Sequence, residues 1–426
     1  MPVRVVLGVG AGIAAYKACE LLRLLTESGH HVRVVPTPDA LRFVGEATWA
    51  ALSGEPVTAD AWTGVAEVPH VRLGQSASLV LVAPATADLL ARAAAGMAGD
   101  LLTATLLTAR CPVLYAPAMH TEMWEHPATQ ANVSLLRSRG AIVLEPAVGR
   151  LTGADSGAGR LPEPAEIFAV ATRLLARAAA QGRATREAGQ AQTADLLRPD
   201  LTGRRVVVSA GGTREEIDPV RFIGNWSTGT QGYALARTAV ARGAEVIVVA
   251  ANVALPDPAG AKVIRVVSAR DMQDAVTAAA AQGGNGVHGG EADAVVMAAA
   301  VADYRPRTRS PAKIKKDGQP PEPLRLIGNP DILAGLALRR ERDPGHQVLV
   351  GFAAETDTAA EAAQAKLARK GCDLLVVNPV GNGLGFGTID NEAVVYGADG
   401  SVTQIPRGPK ETLADVVWDL VAARLR

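Results

Sequence analysis

The sequence has few aromatic residues and no excess of either charge. Aromatic side chains make up 4% of its 426 residues, too few for the base-stacking platforms of single-strand binders. Lysine plus arginine and aspartate plus glutamate number 43 each, so no net field would attract nucleic acid. No apolar run reaches the length that a membrane-spanning helix needs. We therefore expect a protein that binds neither nucleic acid nor membrane.

Cysteine is also scarce. Cys19, Cys111 and Cys372 lie far apart and form no Cys-x-x-Cys or Cys/His cluster, so a structural zinc site is not expected. This usage is typical of a reducing compartment, and we expect a cytoplasmic location. The first residues have the pattern of a β-strand rather than of a signal peptide, which agrees with that expectation.

Strand and helix patterns alternate along most of the chain, as they do in doubly wound parallel sheets. Helical patterns lie at 13–28, 233–242 and 359–370. Apolar runs typical of buried strands lie at 3–8, 31–35, 78–83, 112–116, 141–144, 205–210, 245–250, 294–298, 347–352 and 374–378. Small polar residues mark a linker between two such series. We predict two Rossmann-like α/β domains, at 1–178 and 201–426, with the linker at 179–200.

A glycine-rich turn follows the first predicted strand. Residues 10–15 (Gly-Ala-Gly-Ile-Ala-Ala) fit the loose pattern GxGxxA, and the amides of such a helix start can hold a phosphate. Close packing of strand against helix is the alternative explanation. A dinucleotide site also needs an acidic residue at the end of the second strand. Here residues 35–38 are Val-Pro-Thr-Pro, and Asp39 lies beyond them. A mononucleotide with one phosphate therefore fits better than NAD, which argues against a dehydrogenase.

Further motifs in the first half become specific in combination. They are His70 within Val-Pro-His-Val, Pro-Ala-Thr-Ala at 84–87, Ala-Pro-Ala-Met-His-Thr-Glu-Met-Trp at 116–124, and Gly-Ala-Gly-Arg-Leu-Pro-Glu at 157–163. Taken singly, each could be a packing feature. Together with Gly-Ile-Ala-Ala-Tyr-Lys at 12–17, they make residues 1–175 resemble the FMN-dependent phosphopantothenoylcysteine decarboxylases.

That resemblance implies a flavodoxin-like domain in which FMN oxidises the cysteinyl end of the substrate before CO2 is lost. His70 matches the family's base, and His120 occupies the place of an Asn that helps to hold the substrate carboxylate. A histidine can donate the same kind of hydrogen bond, and when charged it can hold a carboxylate. The FMN-binding residues that the resemblance implies are Gly10, Gly12, Ile13, Thr37, Pro84, Ala85 and Thr86.

One family residue is missing. The cysteine that donates the last proton in the family aligns with Gly153. We expect Asp155, His120 or water to supply that proton, with Asp155 as the first choice because it lies two residues further on. The alternative is a ligase whose decarboxylase-like half binds FMN but has lost turnover.

The second half carries residues suited to a nucleoside triphosphate, although the chain contains no Walker loop. A small-residue loop at 225–229 (Asn-Trp-Ser-Thr-Gly) is followed by Ala-Ala-Val-Ala-Asp-Tyr-Arg-Pro at 299–306 and Lys-Ile-Lys-Lys at 313–316. With Ser-Ala-Gly-Gly-Thr-Arg-Glu-Glu from residue 209 and Gly-Phe-Ala-Ala-Glu-Thr at 351–356, these motifs make residues 203–425 resemble the phosphopantothenate–cysteine ligases that use CTP.

The ligase resemblance implies that CTP activates the substrate carboxylate as an acyl-cytidylate, with Mg2+ bridging triphosphate oxygens, before cysteine attacks. Asn225 and Lys313 are the catalytic residues that it implies, and Asp303 can accept a hydrogen bond from cytosine. The metal ligands are left open. The residues implied to contact CTP are Met297, Ala298, Ala299, Asp303, Lys313, Asn329, Pro330, Asp331, Ile332, Phe352, Lys366 and Lys370.

Two details of this half remain open. Lys366 and Lys370 share one face of a predicted helix, and for that pair alone a solvated surface stripe is the favoured explanation. The family often has lysine where this chain has Thr230, which removes one positive charge.

The two resemblances together predict two consecutive steps of coenzyme A biosynthesis. Cysteine would be joined to 4'-phosphopantothenate, and the product would be decarboxylated to 4'-phosphopantetheine. They also imply a homo-oligomer with a trimeric decarboxylase core and paired ligase halves, an arrangement that a dodecamer would satisfy.

Overall fold

The computed structural model describes residues 3–60, 68–150, 156–188, 200–281, 291–315, 323–342, 347–355, 360–379 and 390–425. The chain divides into two compact units. The first comprises residues 1–203 with 240–244 and 257–261, and the second comprises the remainder. Each unit is an α/β fold around a largely parallel sheet, which confirms the predicted fold class. Among the described residues, no helix combines the length and apolarity needed to cross a bilayer.

The first unit contains a five-stranded parallel sheet with the order β2-β1-β3-β4-β5. This is the flavodoxin-like order. Its strands are buried almost throughout, as their continuous apolar runs predict. They are β1 (Arg4–Val9), β2 (His31–Pro36), β3 (Leu79–Ala85), β4 (Val113–Pro117) and β5 (Ile142–Val143).

Helices and one short hairpin complete this unit. Helix α1 packs on the sheet through residues at helical spacing, such as Ala18, Leu21, Leu22 and Leu25, as an amphipathic helix should. The helices are α1 (Ala15–Glu27), a 3-10 helix (Pro38–Arg42), α2 (Glu46–Ser53), α3 (Pro69–Ser76), α4 (Ala87–Ala95), α5 (Leu101–Thr108), α6 (Thr121–Glu125), α7 (Pro127–Ser138) and α8 (Pro164–Ala188). The antiparallel hairpin pairs β6 (Ala147–Arg150) with β7 (Ser156–Arg160).

The second unit has an eight-stranded sheet with the order β12-β11-β8-β13-β16-β17-β18-β19. Counted along the chain, its first six strands follow the Rossmann order 3-2-1-4-5-6. Two antiparallel strands extend the sheet at one edge. The strands are β8 (Arg205–Gly211), β11 (Glu245–Ala251), β12 (Ala261–Val266), β13 (Ala294–Met297), β16 (Val348–Glu355), β17 (Leu374–Pro379), β18 (Asp390–Gly397) and β19 (Val402–Pro409). Two small ribbons pair β9 (Arg214–Glu216) with β10 (Phe222–Gly224) and β14 (Tyr304–Pro306) with β15 (Leu326–Gly328).

Helices cover both faces of this sheet. Residues of α10 (Ala269–Ala281), α11 (Ile332–Arg342) and α12 (Ala360–Lys370) share one hydrophobic core with the strand side chains of one face. Helices α9 (Thr230–Ala241) and α13 (Lys410–Arg424) contribute nothing to that core. These two pack together instead, with Trp418 Nε1 donating to the Leu235 carbonyl at 2.9 Å. We place them on the opposite face, because successive side chains of a strand alternate between the faces.

The structure adds two features that the sequence patterns did not predict. Helix α8 continues through residues 179–188, at the start of the predicted linker. Alanine, glutamine and arginine favour helix strongly, and no proline interrupts them. Strands β18 and β19, which no sequence pattern predicted, run antiparallel to their neighbours.

Candidate active sites

The predicted FMN residues of the first unit meet where β1, β2 and β3 end. The Gly10 N–H donates to the Pro84 carbonyl at 3.0 Å, and a Cβ on Gly10 would lie 2.5 Å from that oxygen. Only glycine therefore allows the end of β1 to approach β3 so closely. Because the order of this sheet reverses between β1 and β3, this is the edge where open α/β sheets bind ligands.

Two threonines border this crevice. The Thr37 N–H donates to the Val9 carbonyl at 2.9 Å, which fixes Thr37 at the end of β2. Thr37 is 8% exposed, and its Oγ1 has no hydrogen-bond partner among the described residues. Thr86 caps α4 by accepting from the Leu89 N–H at 3.3 Å. A buried hydroxyl without a partner is unusual, and a phosphate or hydroxyl of a bound nucleotide would satisfy that of Thr37.

The residue types at this edge of the sheet suit a flavin mononucleotide. Gly12 leaves space beside Thr86, whose methyl group would lie 3.8 Å from an added Cβ. Ala85 ends β3, and its carbonyl accepts from the Ala118 N–H at 3.1 Å. Ile13 is 71% exposed and offers an apolar surface at the same turn. The predicted residues thus supply small side chains, an apolar contact and an unsatisfied hydroxyl.

The two predicted catalytic histidines lie at the starts of different helices. His70 follows Pro69 at the start of α3, and its carbonyl accepts from Thr108 Oγ1 at 2.7 Å, which ties α3 to α5. The His70 side chain is half-buried, whereas His120 is exposed at the N-cap of α6. No hydrogen bond joins their rings in the part of the chain that is described. The structure therefore gives each histidine a fixed backbone but leaves their cooperation as a prediction.

The β6–β7 hairpin attaches to the segment that precedes His120. The Met119 N–H donates to the Gly159 carbonyl at 2.9 Å. Gly159 has φ +149°, and a Cβ there would lie 2.2 Å from the Met119 carbonyl oxygen, so this approach requires glycine. Gly153 and Asp155 lie in the connection 151–155, outside the described residues. Asp155 therefore remains a prediction from sequence.

An ion pair joins the motif at 12–17 to the motif at 157–163. Lys17 Nζ lies 3.3 Å from both carboxylate oxygens of Glu163, and Arg160 pairs with the same carboxylate. Burial, followed by the charge of Arg160, lowers the pKa of Lys17. These motif residues therefore tie α1 to the segment after β7.

None of the three cysteines lies in the segment around residue 153. Burial raises the pKa of the Cys111 and Cys372 thiols to about 11, and it also raises that of Cys19. Cys111 packs against the core of the first unit, and Cys372 belongs to that of the second.

The second unit has a cavity of about 770 Å³ that the ends of β13 and β16 help to line. It lies where the strand order reverses, between β8 and β13, the position that Rossmann folds use for ligands. Asn225 lines it. So do all the residues predicted to contact CTP except Lys313, namely Met297, Ala298, Ala299, Asp303, Asn329, Pro330, Asp331, Ile332, Phe352, Lys366 and Lys370.

Asp303 and Asn329 are held together by backbone contacts. The Asn329 N–H donates to the Asp303 carbonyl at 2.8 Å, and Asn329 Nδ2 donates to the Ala302 carbonyl at 2.8 Å. Arg305 Nη1 donates to Asn329 Oδ1 at 2.9 Å. The exposed Asp303 carboxylate has no hydrogen bond or ion pair among the described residues. It can therefore accept from the amino group of a base.

Lys366 and Lys370 both line the cavity and share one face of α12, as predicted. Each ammonium is paired. Lys366 Nζ lies 2.6 Å from Glu355 Oε1, and Lys370 Nζ lies 2.6 Å from Asp331 Oδ2. A solvated stripe does not describe these side chains, since each pairs with a carboxylate from another element.

Lys313 is the predicted residue that the structure does not bring into the cavity lining. It is exposed on a segment anchored elsewhere. The Ile314 N–H donates to Asp218 Oδ2 at 3.2 Å, and Arg221 Nη2 donates to the Ile314 carbonyl at 3.2 Å. Lys316, the last residue of the motif, lies outside the described residues.

Sequence reasoning missed another polar part of the lining. It consists of the start of α9 with Asn378, Asn391 and Lys410. Gln231 Nε2 donates to the Lys410 carbonyl at 3.2 Å, and Asn391 Nδ2 donates to Gln231 Oε1 at 3.2 Å. The small-residue segment before Gln231 was a usable signal, but nothing in the sequence links it to a lysine so far along the chain.

Two family models match almost the whole chain. The model described as "Flavoprotein" matches residues 1–176, and that described as "DNA/pantothenate metabolism flavoprotein C-terminal domain" matches residues 201–425.

Whole-length relatives carry the name "Coenzyme A biosynthesis bifunctional protein CoaBC". That of Mycobacterium tuberculosis is 55% identical over 432 residues, covering 100% of this chain and 97% of the relative. That of Vibrio cholerae is 39% identical over 422 residues, covering 98% and 97%.

Among solved structures, each half has its own neighbour. The C-terminal domain of a CoaBC protein is 34% identical, covers 53% of this chain and 98% of its own, and gives a TM-score of 0.43. A PPC decarboxylase variant complexed with pantothenoylaminoethenethiol is 28% identical, covers 40% and 97%, and gives a TM-score of 0.38.

Proposed function

This chain belongs to the family of bifunctional coenzyme A biosynthesis proteins, and from that premise we propose how its residues divide the work. The chain is an enzyme with a decarboxylase half of the flavoprotein type and a ligase half. We assign ligation to the cavity of the second unit and decarboxylation to the crevice of the first. The observation that carries the assignment is that the predicted CTP residues, apart from Lys313, line one cavity.

In the ligase half, the carboxylate of 4'-phosphopantothenate attacks the α-phosphorus of CTP, and pyrophosphate leaves. Asp303 accepts a hydrogen bond from the cytosine amino group. Lys366 and Lys370 exchange their carboxylate partners for triphosphate oxygens, since charge-assisted contacts to phosphate are strong. The amine of cysteine then attacks the acyl carbon, and CMP leaves as the amide forms.

Asn225 belongs to the second of these steps in this proposal. Its Nδ2 donates to the Val301 carbonyl at 3.2 Å, so the side chain is oriented at the cavity wall before substrate arrives. We assign it to turnover of the acyl-cytidylate. We assign Lys313 to the first step, in which negative charge redistributes around phosphorus.

Mg2+ is held mainly by the nucleotide in this proposal. Within the described residues, no cluster of three or more His, Cys, Asp or Glu side chains could form a metal cage. Magnesium in nucleotide sites is commonly held by phosphates, water and one or two carboxylates. Apart from Asp303, which is assigned to the base, Asp331 is the carboxylate in the described lining that could supply such a contact.

In the decarboxylase half, the residues that would hold FMN are Gly10, Gly12, Ile13, Pro84 and Ala85, and Thr37 and Thr86 would contribute polar contacts. When bound, FMN supplies the oxidation that precedes loss of CO2 and the electrons for the reduction that follows.

The chain's own residues move the protons. An imidazole nitrogen of His70 accepts the proton that leaves the substrate, and the His120 ring holds the carboxylate until CO2 departs. Asp155, His120 or water returns the last proton. In this scheme the missing cysteine affects only that final protonation.

We also propose a cytoplasmic homo-oligomer, with trimeric decarboxylase cores and paired ligase halves, which a dodecamer would satisfy. This arrangement follows from what the family resemblance implies.

The assignment is tested by supplying each half with its own substrate. With 4'-phosphopantothenate, cysteine, CTP and Mg2+, the full-length chain should release pyrophosphate and CMP. With 4'-phosphopantothenoylcysteine and no CTP, it should release CO2. If only CO2 release were absent, the first unit would be reduced to an FMN-binding module. If only pyrophosphate and CMP release were absent, the ligase assignment would be refuted.

A further inference from the structure

Two buried hydroxyls, one in β8 and one just beyond it, hold the segment that follows β13. Ser209 is 0% exposed, and its Oγ accepts a hydrogen bond from the Ala299 N–H at 3.1 Å. Thr213 is 1% exposed, and its Oγ1 accepts from the Ala302 N–H at 2.9 Å. Side-chain hydroxyls therefore hold both ends of residues 299–302, and the proposed reaction uses neither hydroxyl.

The middle of this segment is bound by backbone groups. The Ala300 N–H donates to the Gly211 carbonyl at 2.8 Å, and the Thr213 N–H donates to the Ala300 carbonyl at 3.2 Å. The segment thus continues the parallel pairing of β13 with β8 beyond the ends of both strands. Residues 299–302 line the cavity, whereas residues 209–213, which hold them in place, do not belong to its described lining.

Asp303 directly follows this segment, and its backbone is fixed from the other side as well. The Asn329 N–H donates to the Asp303 carbonyl, and Asn329 Nδ2 donates to the Ala302 carbonyl, both at 2.8 Å. Arg305 Nη1 donates to Asn329 Oδ1 at 2.9 Å, so the Asn329 side chain is engaged at both ends. The peptide between Ala302 and Asp303 is therefore held on two sides, while the Asp303 carboxylate is exposed in the cavity lining.

The location of the Asp303 carboxylate decides which pyrimidine it accepts. Cytosine presents an amino group where uracil presents a carbonyl oxygen, and a carboxylate accepts a hydrogen bond from the first but repels the second. Such a site discriminates strongly when the wrong analogue leaves its polar groups unpaired, and a misplacement of about 1 Å can cost about 10²-fold. Thr213→Val would leave the buried Ala302 N–H without its acceptor, an unfavourable state that a shift of the segment would relieve.

We infer that Ser209 and Thr213 are positioning residues for base selection, because they fix residues 299–302 and thereby hold the Asp303 carboxylate where it accepts from cytosine. The inference rests on the proposed ligase function, in which Asp303 contacts the base. It gives two residues that do not touch the nucleotide a part in the choice of nucleotide.

The ratio of kcat/KM for CTP to kcat/KM for UTP tests this part. It is measured on the full-length chain as pyrophosphate release with 4'-phosphopantothenate, cysteine and Mg2+. Thr213→Val keeps the shape of the side chain but removes the acceptor, and it should lower the ratio about 10–100-fold. Thr213→Ser keeps the hydroxyl and should hold the ratio within about threefold of wild type. Thr238→Val is the matched control, because Thr238 is a buried threonine of α9 whose Oγ1 has no hydrogen-bond partner among the described residues. It should leave the ratio unchanged.

A double-mutant cycle shows whether Thr213 acts through Asp303. The amide of Asp303→Asn offers both an acceptor and a donor, so this variant should use CTP and UTP with similar efficiency. Adding Thr213→Val to Asp303→Asn should then change the ratio less than about twofold. A merely structural role of Thr213 would lower both kcat/KM values together and leave the ratio of the single variant at the wild-type value.

Three results would overturn the inference. They are a wild-type ratio in Thr213→Val, an equal fall of the ratio when Asp303→Asn is also present, and a wild-type chain that uses CTP and UTP equally well. Thermal unfolding checks each variant. If Thr213→Val does not fold, Ser209→Ala provides the comparison, because it removes the acceptor of the Ala299 N–H and should also lower the ratio. A wild-type chain that releases no pyrophosphate with either nucleotide would instead refute the proposed function, so the two failures are distinguishable.

Discussion

Lys370 Nζ lies 2.6 Å from Asp331 Oδ2, and both residues line the cavity of the second unit. Asp331 also accepts from the Ala334 N–H at 3.2 Å, so the same carboxylate caps α11 and holds a lysine of α12. The pair keeps a cation at the cavity wall, with its ammonium oriented and only partly exposed. A bound triphosphate can take over this ammonium without a large movement of the side chain.

We predict that Lys370→Met raises the KM for CTP about 10–100-fold, because one charge-assisted contact to phosphate is lost. Steady-state pyrophosphate release at varied CTP concentration measures this effect. Lys262→Met, a change at an exposed residue of β12, should leave the KM for CTP unaltered. A KM for Lys370→Met within twofold of wild type would place Lys370 outside the nucleotide site.

His70→Asn should leave FMN bound but reduce CO2 release by roughly 10²–10⁴-fold, the contribution of a general base. Flavin absorbance after gel filtration checks the cofactor, and CO2 release from 4'-phosphopantothenoylcysteine checks the activity. His31→Asn, an exposed change at the start of β2, serves as the matched control. Near-normal decarboxylation by His70→Asn would mean that His70 only supports the packing of α3 on α5.

Lys313→Gln should slow formation of the acyl-cytidylate on the order of 100-fold, since removing one stabilising group costs about 3 kcal/mol in comparable sites. Lys313 lies outside the cavity lining, so this effect would require its segment to approach the bound nucleotide. Pyrophosphate release in a single turnover gives the rate, with Lys262→Gln as control. A normal rate in Lys313→Gln would remove this lysine from the first step.

Asn225→Asp should separate the two ligase steps. An aspartate cannot donate to the Val301 carbonyl as Asn225 Nδ2 does, so the activated carboxylate should form and then accumulate. Rapid quench with mass detection would find the acyl-cytidylate. If activation is blocked as well, Asn225 acts in the first step.

Much of this architecture could be predicted because it depends on local pattern. Apolar runs marked the strands of both sheets except β12, β18 and β19, and the glycine turn at Gly10 marked the sheet edge where the predicted FMN residues meet. The motifs around Asp303 and Asn329 identified one wall of the cavity in the second unit, since Asp303 directly precedes β14 and Asn329 directly follows β15.

The rest depends on contacts between distant segments. Lys410 reaches the first turn of α9 across 179 residues of sequence, and no local pattern reports such a contact. The antiparallel pairing of β18 with β17 depends on which sheet edge is free, not on the residues of β18 alone. The helix at 179–188 was missed because its small polar residues suit both a linker and a surface helix.

The central claim is that the first unit completes its reaction although Gly153 stands where the family has cysteine. Product analysis of the wild-type chain with 4'-phosphopantothenoylcysteine tests it most directly, with Asp155→Asn in parallel to identify the proton donor. We predict 4'-phosphopantetheine and CO2 in equal amounts, with FMN oxidised at the end, because the cysteine matters only for the last proton. A wild-type chain that stops at the oxidised enethiol, with FMN left reduced, would contradict the claim.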